Sequence, residues 1–475
     1  MHTAGICIRI SGCAIRNTVR DTIRYGPNRL LINSAPGHKS IYGHGANVQK
    51  SRAYEQISTI PGIHSSISTL DNARHKMLRR LLNQGLSDTS IRSMDAEMRS
   101  IASFFATAVG EKEDCFDLSQ QPVNDGDEWS VAKNMARWCD FFTFDVMSRL
   151  VFGTSYNLLS NSENHYIIDC VMNSLQRTGF LMQLPEVEKL NLHRLLYPTV
   201  KLRATRFTQK SKAIMEERRA RGAKAGESDV FSNLLAANDS ETGEKLSIQQ
   251  LSVESNLLIV AGSDTSSTTM AALFFYLSRN PSAYSRVARE VRAVFKTPDE
   301  VCQGPKLSSC SYLRACIHEA LRLCPPVGGA LWREVLPGGL AIPDHNIQIP
   351  AGYEVGTGIW SLNRNEKYYP EPLVFRPERW IAEEAGAEAV GVAKDTLASF
   401  SAGPRNCVGK GLAMVELMLG MAAVLVRYDF RRAETRLGEV GEDVGALEGH
   451  FKTSWAFTSL KDGPYIQFWP VEGGK

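Results

Sequence analysis

Apolar side chains recur at helical spacing over residues 74–83, 131–152, 206–220, 229–237, 247–279, 282–295 and 311–323, which predicts a helix over each. The longest ends at Asn280-Pro281, where proline removes the N–H that another turn would need. Its portion from 252 to 279 would span about 40 Å, enough to cross a domain. Past Pro325 the pattern changes. Proline and glycine crowd residues 325–358 and 370–377, with short runs such as ALWREV and IQIPAG among them. These read as a small β-rich element. A further helix is expected over 409–426, and HFKTSWAFTSL and YIQFW read as strands joined by a KDGP turn. No repeat or linker divides the chain, so a single large domain is expected, mainly α with a small β-rich subregion.

Composition narrows the field. A chain of 475 residues, 43% of them hydrophobic, can bury a large core, and a net charge of +3 points to no nucleic-acid partner. The ten cysteines are scattered, with no CxxC pair and no zinc-like spacing, so neither a disulfide framework nor a zinc site is expected. No stretch reaches the roughly 18 uninterrupted apolar residues of a membrane span. The opening MHTAGICIRISGCAIRNTVR is interrupted by Arg9 and Arg16, and no signal-cleavage pattern follows it.

One cysteine stands apart. Residues 400–409 read FSAGPRNCVG, placing Cys407 between glycines, two residues after Arg405 and just before an apolar helix. Positive charge and the N–H groups of a helix start both stabilise a thiolate. Gly403 and Gly409 would let the backbone turn tightly and approach a flat partner. Such a thiolate could be a nucleophile, a metal ligand or a redox sensor. A nucleophile needs a base, and no histidine lies within forty residues on either side. Ligation of haem iron needs only one cysteine.

With Phe400, Gly403, Arg405, Cys407 and Gly409 in place, the stretch resembles the haem-binding signature of the cytochrome P-450 family. Three other motifs extend the resemblance. AGSDT, within the long predicted helix, resembles the family's oxygen-activation segment, in which Asp264 and Thr265 would organise water and relay protons. Glu319 and Arg322 lie three residues apart in a helix, and with Arg379 of FRPERW they match the family's buried ion triad, a structural element. His75 and Arg79 in ARHKMLRRLL, with Arg333 and Arg405, match positions that hold haem propionates.

The resemblance implies a haem domain over 20–475, leaves residues 1–19 unassigned without the usual membrane-spanning anchor, and is strongest to fungal microsomal members. It implies haem b with an axial thiolate from Cys407, and insertion of one oxygen atom from O2 into a lipophilic small molecule in secondary metabolism. Electrons would come from an NADPH-dependent flavoprotein reductase, steered by Arg405, Lys410 and the basic face of Arg74, Lys76 and Arg80. The cytosolic face of the endoplasmic reticulum membrane is the implied location, with residues 179–198 a candidate for peripheral membrane contact. Substrate contacts would come from residues 57–70 and 180–196, from Val260, Ala261, Val327, Ala330 and Leu331, and from Trp455 and Phe457. The rival readings are a haem-thiolate isomerase or dehydratase needing no reductase, and a non-catalytic haem-binding relative.

Overall fold

The computed structural model describes residues 21–58, 60–116, 129–184, 200–221, 229–445 and 447–471. Its longer helices are α1 (Ala35–Tyr42), α2 (Asn72–Gly85), α3 (Asp95–Gly110), α4 (Met135–Phe152), α5 (Tyr166–Gln183) and α6 (Val200–Arg221). They continue with α7 (Val230–Ala236), α8 (Ile248–Arg279), α9 (Pro281–Val294), α10 (Ser311–Leu323), α11 (Ala387–Thr396) and α12 (Lys410–Arg427). Each helix expected from periodicity is present. Ser247 caps α8 by accepting from the Gln250 N–H, and Pro281 occupies the first turn of α9, where its missing N–H costs nothing.

Periodicity does not flag α1, α3, α5 or α11. The buried face of α3, Met98, Ala102, Phe105, Ala106 and Val109, has helical spacing. Ile101 and Phe104 lie between these positions, so the run reads as uniformly apolar.

The core forms where α8 packs on α4 and on α12. Both α4 and the second half of α8 are buried on nearly every side, including Met270, Leu273, Phe274 and Phe275 of α8. Among the described residues α8 is the only helix long and apolar enough to cross a membrane, and 72% of its apolar window is buried inside the protein.

The strands are β1 (Thr22–Gly26), β2 (Arg29–Ile32), β3 (Val48–Lys50), β4 (Lys133–Asn134), β5 (Arg333–Val335) and β6 (Leu340–Ile342), then β7 (Ile347–Ile349), β8 (Glu354–Gly356), β9 (Tyr428–Arg432), β10 (Thr453–Trp455), β11 (Ser459–Lys461) and β12 (Tyr465–Pro470). The largest sheet has the order β1-β2-β8-β5-β3, with only the β2–β8 pair parallel. The expected β-rich element after Pro325 therefore exists: β6 and β7 pair with each other, while β5 and β8 pair with β3 and β2, two strands from the first fifty residues. The strand expectation near the end needs correction. HFKTSWAFTSL folds on itself as the hairpin β10–β11, and YIQFW becomes β12, which sits between β4 and β9 in another sheet. The KDGP segment links the two without pairing them.

Candidate active site

The cysteine loop is held from both ends. The Cys407 N–H donates to Phe400 O at 2.9 Å, and the Asn406 N–H donates to Gly403 O at 3.2 Å. Gly403 adopts φ +65°, and a Cβ there would stand 1.9 Å from Tyr42 O at the end of α1. Its glycine is required by packing against α1. Gly409 has an ordinary φ of −86°, and the nearest atom to a Cβ there would be Cys407 Sγ at 4.0 Å. Its bare backbone keeps the space beside the sulfur clear.

Cys407 opens onto an internal cavity of about 1120 Å³. Its sulfur is accessible from that empty space although protein surrounds the loop. Burial pushes the thiol up from its usual range, while the Gly409 N–H, Arg79 and Lys410 pull it back. The expectation that Arg405 supplies the positive charge is corrected: its guanidinium turns to Thr69 O (2.9 Å), Leu70 O (3.2 Å) and Asn72 Oδ1 (2.9 Å).

Thr265 faces the same cavity, and its hydroxyl donates to Ala261 O at 2.7 Å, one turn back. That bond uses the proton and leaves the oxygen's lone pairs free to accept. Asp264 does not line the cavity. It lies on another side of α8, fully buried, with neither carboxylate oxygen hydrogen-bonded. Burial pushes it up to about 6, against the pull of Lys461 and the nearby Thr458 hydroxyl. Lys461 of β11 donates to Asp140 Oδ1 and Ser267 Oγ, each at 2.8 Å.

A second region of the cavity gathers cations. His75, Arg79, Arg333 and Arg405 all line it, as Phe400 and Gly409 do. Burial lowers His75 to about 3, and Arg405, Lys50, Arg79 and Arg333 add to the effect, so the imidazole is neutral. Arg79 is already engaged. It donates to Asn406 O (2.6 Å) and Asn406 Oδ1 (2.7 Å), bracing the residue before the cysteine. Arg333 donates to Leu331 O and Trp332 O and stacks over Tyr42.

The ion triad assembles away from the cavity. Arg322 makes two bonds to Glu319, at 2.8 and 2.9 Å, and Arg379 makes one at 3.0 Å. The Trp380 indole and the Arg376 N–H complete the shell around the carboxylate. Burial would raise Glu319, but Arg322 and Arg379 outweigh it and hold the carboxyl below its usual range.

The basic face of α2 needs correction. Arg74 pairs with Glu244 (2.5 Å), Lys76 with Glu241 (3.1 Å) and Arg80 with Asp239 (2.5 Å), so one acidic segment neutralises it. Of the expected substrate contacts, Val260, Ala261, Val327, Leu331 and Phe457 line the cavity, whereas Ala330, Trp455 and residues 180–184 do not. From α5 the wall takes Leu175 and Thr178 instead. Residues 185–199, which carry the rest of the expected membrane and substrate segment, lie outside the described residues, as does the unassigned start.

Two wall residues escape the motifs. Lys50 is buried beside Arg333. Glu416 on α12 is also buried, with both oxygens unpaired, and burial raises it to about 8 despite the pull of Ser266. As the single carboxylate within the apolar run LAMVELMLGM, Glu416 was detectable in sequence.

A thiol, cleared space beside it, and cations without carboxylate partners among the described residues together fit a flat prosthetic group bearing acid side chains. A family profile described as Cytochrome P450 matches residues 23–440. The cytochrome P-450 monooxygenase apf7 of Gibberella fujikuroi is 51% identical over 97% of this chain and 88% of its own length. The cytochrome P-450 monooxygenase AKT7 of Alternaria alternata is 38% identical over 94% of this chain and 85% of its own. The crystal structure of the cytochrome P-450DA heme domain superposes with a TM-score of 0.72 at 18% identity, covering 93% of this chain and 87% of that one. The chain belongs to the cytochrome P-450 family, whose fold implies a haem-thiolate cofactor. It is a monooxygenase, as its relatives are named.

Proposed function

We propose that Cys407 is the axial thiolate of haem b in an enzyme that inserts one oxygen atom from O2 into a lipophilic small molecule. The observation that carries this reading is the Cys407 sulfur at the cavity wall beside the bare Gly409. Haem b bound there would supply the iron centre at which dioxygen is reduced. Arg333, Arg405 and the neutral His75 would hold its carboxylates by hydrogen bonds, while Arg79, tied to Asn406, fixes the cysteine loop. The free lone pairs of Thr265 would accept from water and orient it. Asp264, with a carboxyl raised toward neutrality, would hold a proton one layer behind the wall and release it along α8.

The cavity volume exceeds an ordinary ligand pocket, which leaves room for substrate beside the prosthetic group. Val260, Ala261, Val327, Leu331 and Phe457 make that room apolar, which suits a lipophilic substrate. The fungal relatives support a place in secondary metabolism, and the family supports association with the endoplasmic reticulum.

For the flavoprotein reductase, the free charge differs from the face expected on α2. Lys410, Arg314 and Lys394 all act on His318, lowering it to about 4 after burial, and none of them is ion-paired among the described residues. This cluster, on α12, α10 and α11, would meet an acidic partner on the cysteine side. The test is oxygen-dependent NADPH consumption by the chain with its reductase, stimulated by a lipophilic compound and yielding an oxygenated product. Product formed from substrate without NADPH or reductase would instead identify an isomerase or dehydratase.

A further inference from the structure

We propose that Lys50 binds a carboxylate inside the cavity, as a further anion-holding residue alongside Arg333 and Arg405. The inference rests on the haem-site reading above and adds a residue that none of its motifs contains. The backbone fixes the position of Lys50. Strand β3 pairs antiparallel with β5, and Lys50 stands directly across from Arg333. Opposed residues share a face of the sheet, so two cations face each other there, an arrangement that destabilises a sheet unless something lies between them. Both are buried, Lys50 at 6% exposure and Arg333 at 3%, and both line the cavity.

The Lys50 ammonium donates to Ile67 O at 2.6 Å and lies over the Tyr54 ring at 4.4 Å. Neither contact supplies negative charge. Among the described residues Lys50 makes no ion pair. The one carboxylate whose field reaches it is Glu254, whose oxygens accept from Ser66 N (2.7 Å), Ser66 Oγ (2.8 Å) and Gln250 Nε2 (3.0 Å). With Arg405 nearby as well, the region holds three cations that lack a counter-ion. Burial, then Arg333 and Arg405, drive Lys50 well below the usual lysine range. A buried charge persists when it is paired, and a carboxylate entering from the cavity would pair this one.

Two carboxylates could reach Lys50: a porphyrin acid side chain, or an acid group on the substrate. Lys50→Met keeps the length and removes the charge. In the first arm, haem transfer from the loaded enzyme to excess apomyoglobin is timed. In the second, dodecanoate and its methyl ester are compared by equilibrium dialysis, which needs no haem. A porphyrin partner should make haem transfer about tenfold faster or more in the variant, the scale of one hydrogen bond between charged groups. A substrate partner should leave transfer unchanged and abolish preference for the acid over the ester.

A third measurement guards against a folding defect. Without haem or fatty acid, Lys50→Met should resist urea better than the parent, because the cost of burying an unpaired amine beside Arg333 is gone. Unchanged haem transfer together with unchanged acid preference overturns the proposal. A parent chain that refuses haem overturns the haem reading instead, and the dialysis arm still decides the role of Lys50.

Discussion

Replacing Glu319 by alanine should destabilise the protein by about 3 kcal/mol or more, the cost of leaving a buried ion cluster one partner short. Glu319 is fully buried and accepts three bonds from Arg322 and Arg379, one from the Trp380 indole and one from the Arg376 N–H. Alanine leaves two buried guanidinium groups without a counter-charge. Each keeps backbone acceptors: Arg322 has Asn363 O and Pro372 O, and Arg379 has Pro370 O. Those bonds place the loss toward the lower end of the roughly 3–5 kcal/mol range for a broken buried pair.

The pH dependence provides a second signature. The Glu319 carboxyl lies below its usual range when folded, so its contribution is present above the unfolded value and is lost as pH falls through the folded one. The variant should therefore show a weaker acid loss of stability than the parent. Urea unfolding of the haem-loaded protein, followed by tryptophan fluorescence at several pH values, measures both. A loss under about 1 kcal/mol, the scale of an exposed pair, would refute the view that this triad holds the fold together.

Two glycines of the cysteine loop should behave differently. Gly403→Ala puts a Cβ against Tyr42 O at a positive φ and should block accumulation of folded protein, whereas Gly409→Ala should fold and lose haem affinity; yields and haem titration separate them. Lys410→Glu should slow reductase-driven reduction more at low salt than at high, while Lys76→Glu, at a site already paired with Glu241, should change it less; stopped-flow reduction at two ionic strengths decides. Glu416, raised to about 8, keeps its proton when folded, so the parent should lose stability as pH rises from the ordinary carboxylate range through about 8. Glu416→Gln should remove that slope in urea unfolding measured from about pH 4 to 9, which brackets the transition.

Most of the longer helices and the sulfur were legible because each has a local signal: a 3.6-residue period, or a five-position motif around Cys407. What escaped depends on distant partners. Lys50 is one lysine in a three-residue strand, and only pairing with β5, far along the chain, makes it a buried neighbour of Arg333. The α2 cations read as a free basic face for a reductase because their partners Asp239, Glu241 and Glu244 lie on another segment. Arg405 reads as a partner of Cys407 from its spacing, but the loop turns its guanidinium toward residues 69–72. Likewise, spacing places Asp264 beside Thr265 but does not say that the helix aims only Thr265 at the cavity.

The central claim is thiolate ligation by Cys407, and the most direct test is the absorption spectrum of the reduced, haem-loaded protein under carbon monoxide. Thiolate ligation requires the strongly red-shifted Soret band of a thiolate-bound ferrous complex, and its disappearance in Cys407→Ser even where haem stays bound. A parent protein that folds and takes up haem without that band, or a Cys407→Ser variant that keeps it, would contradict the account.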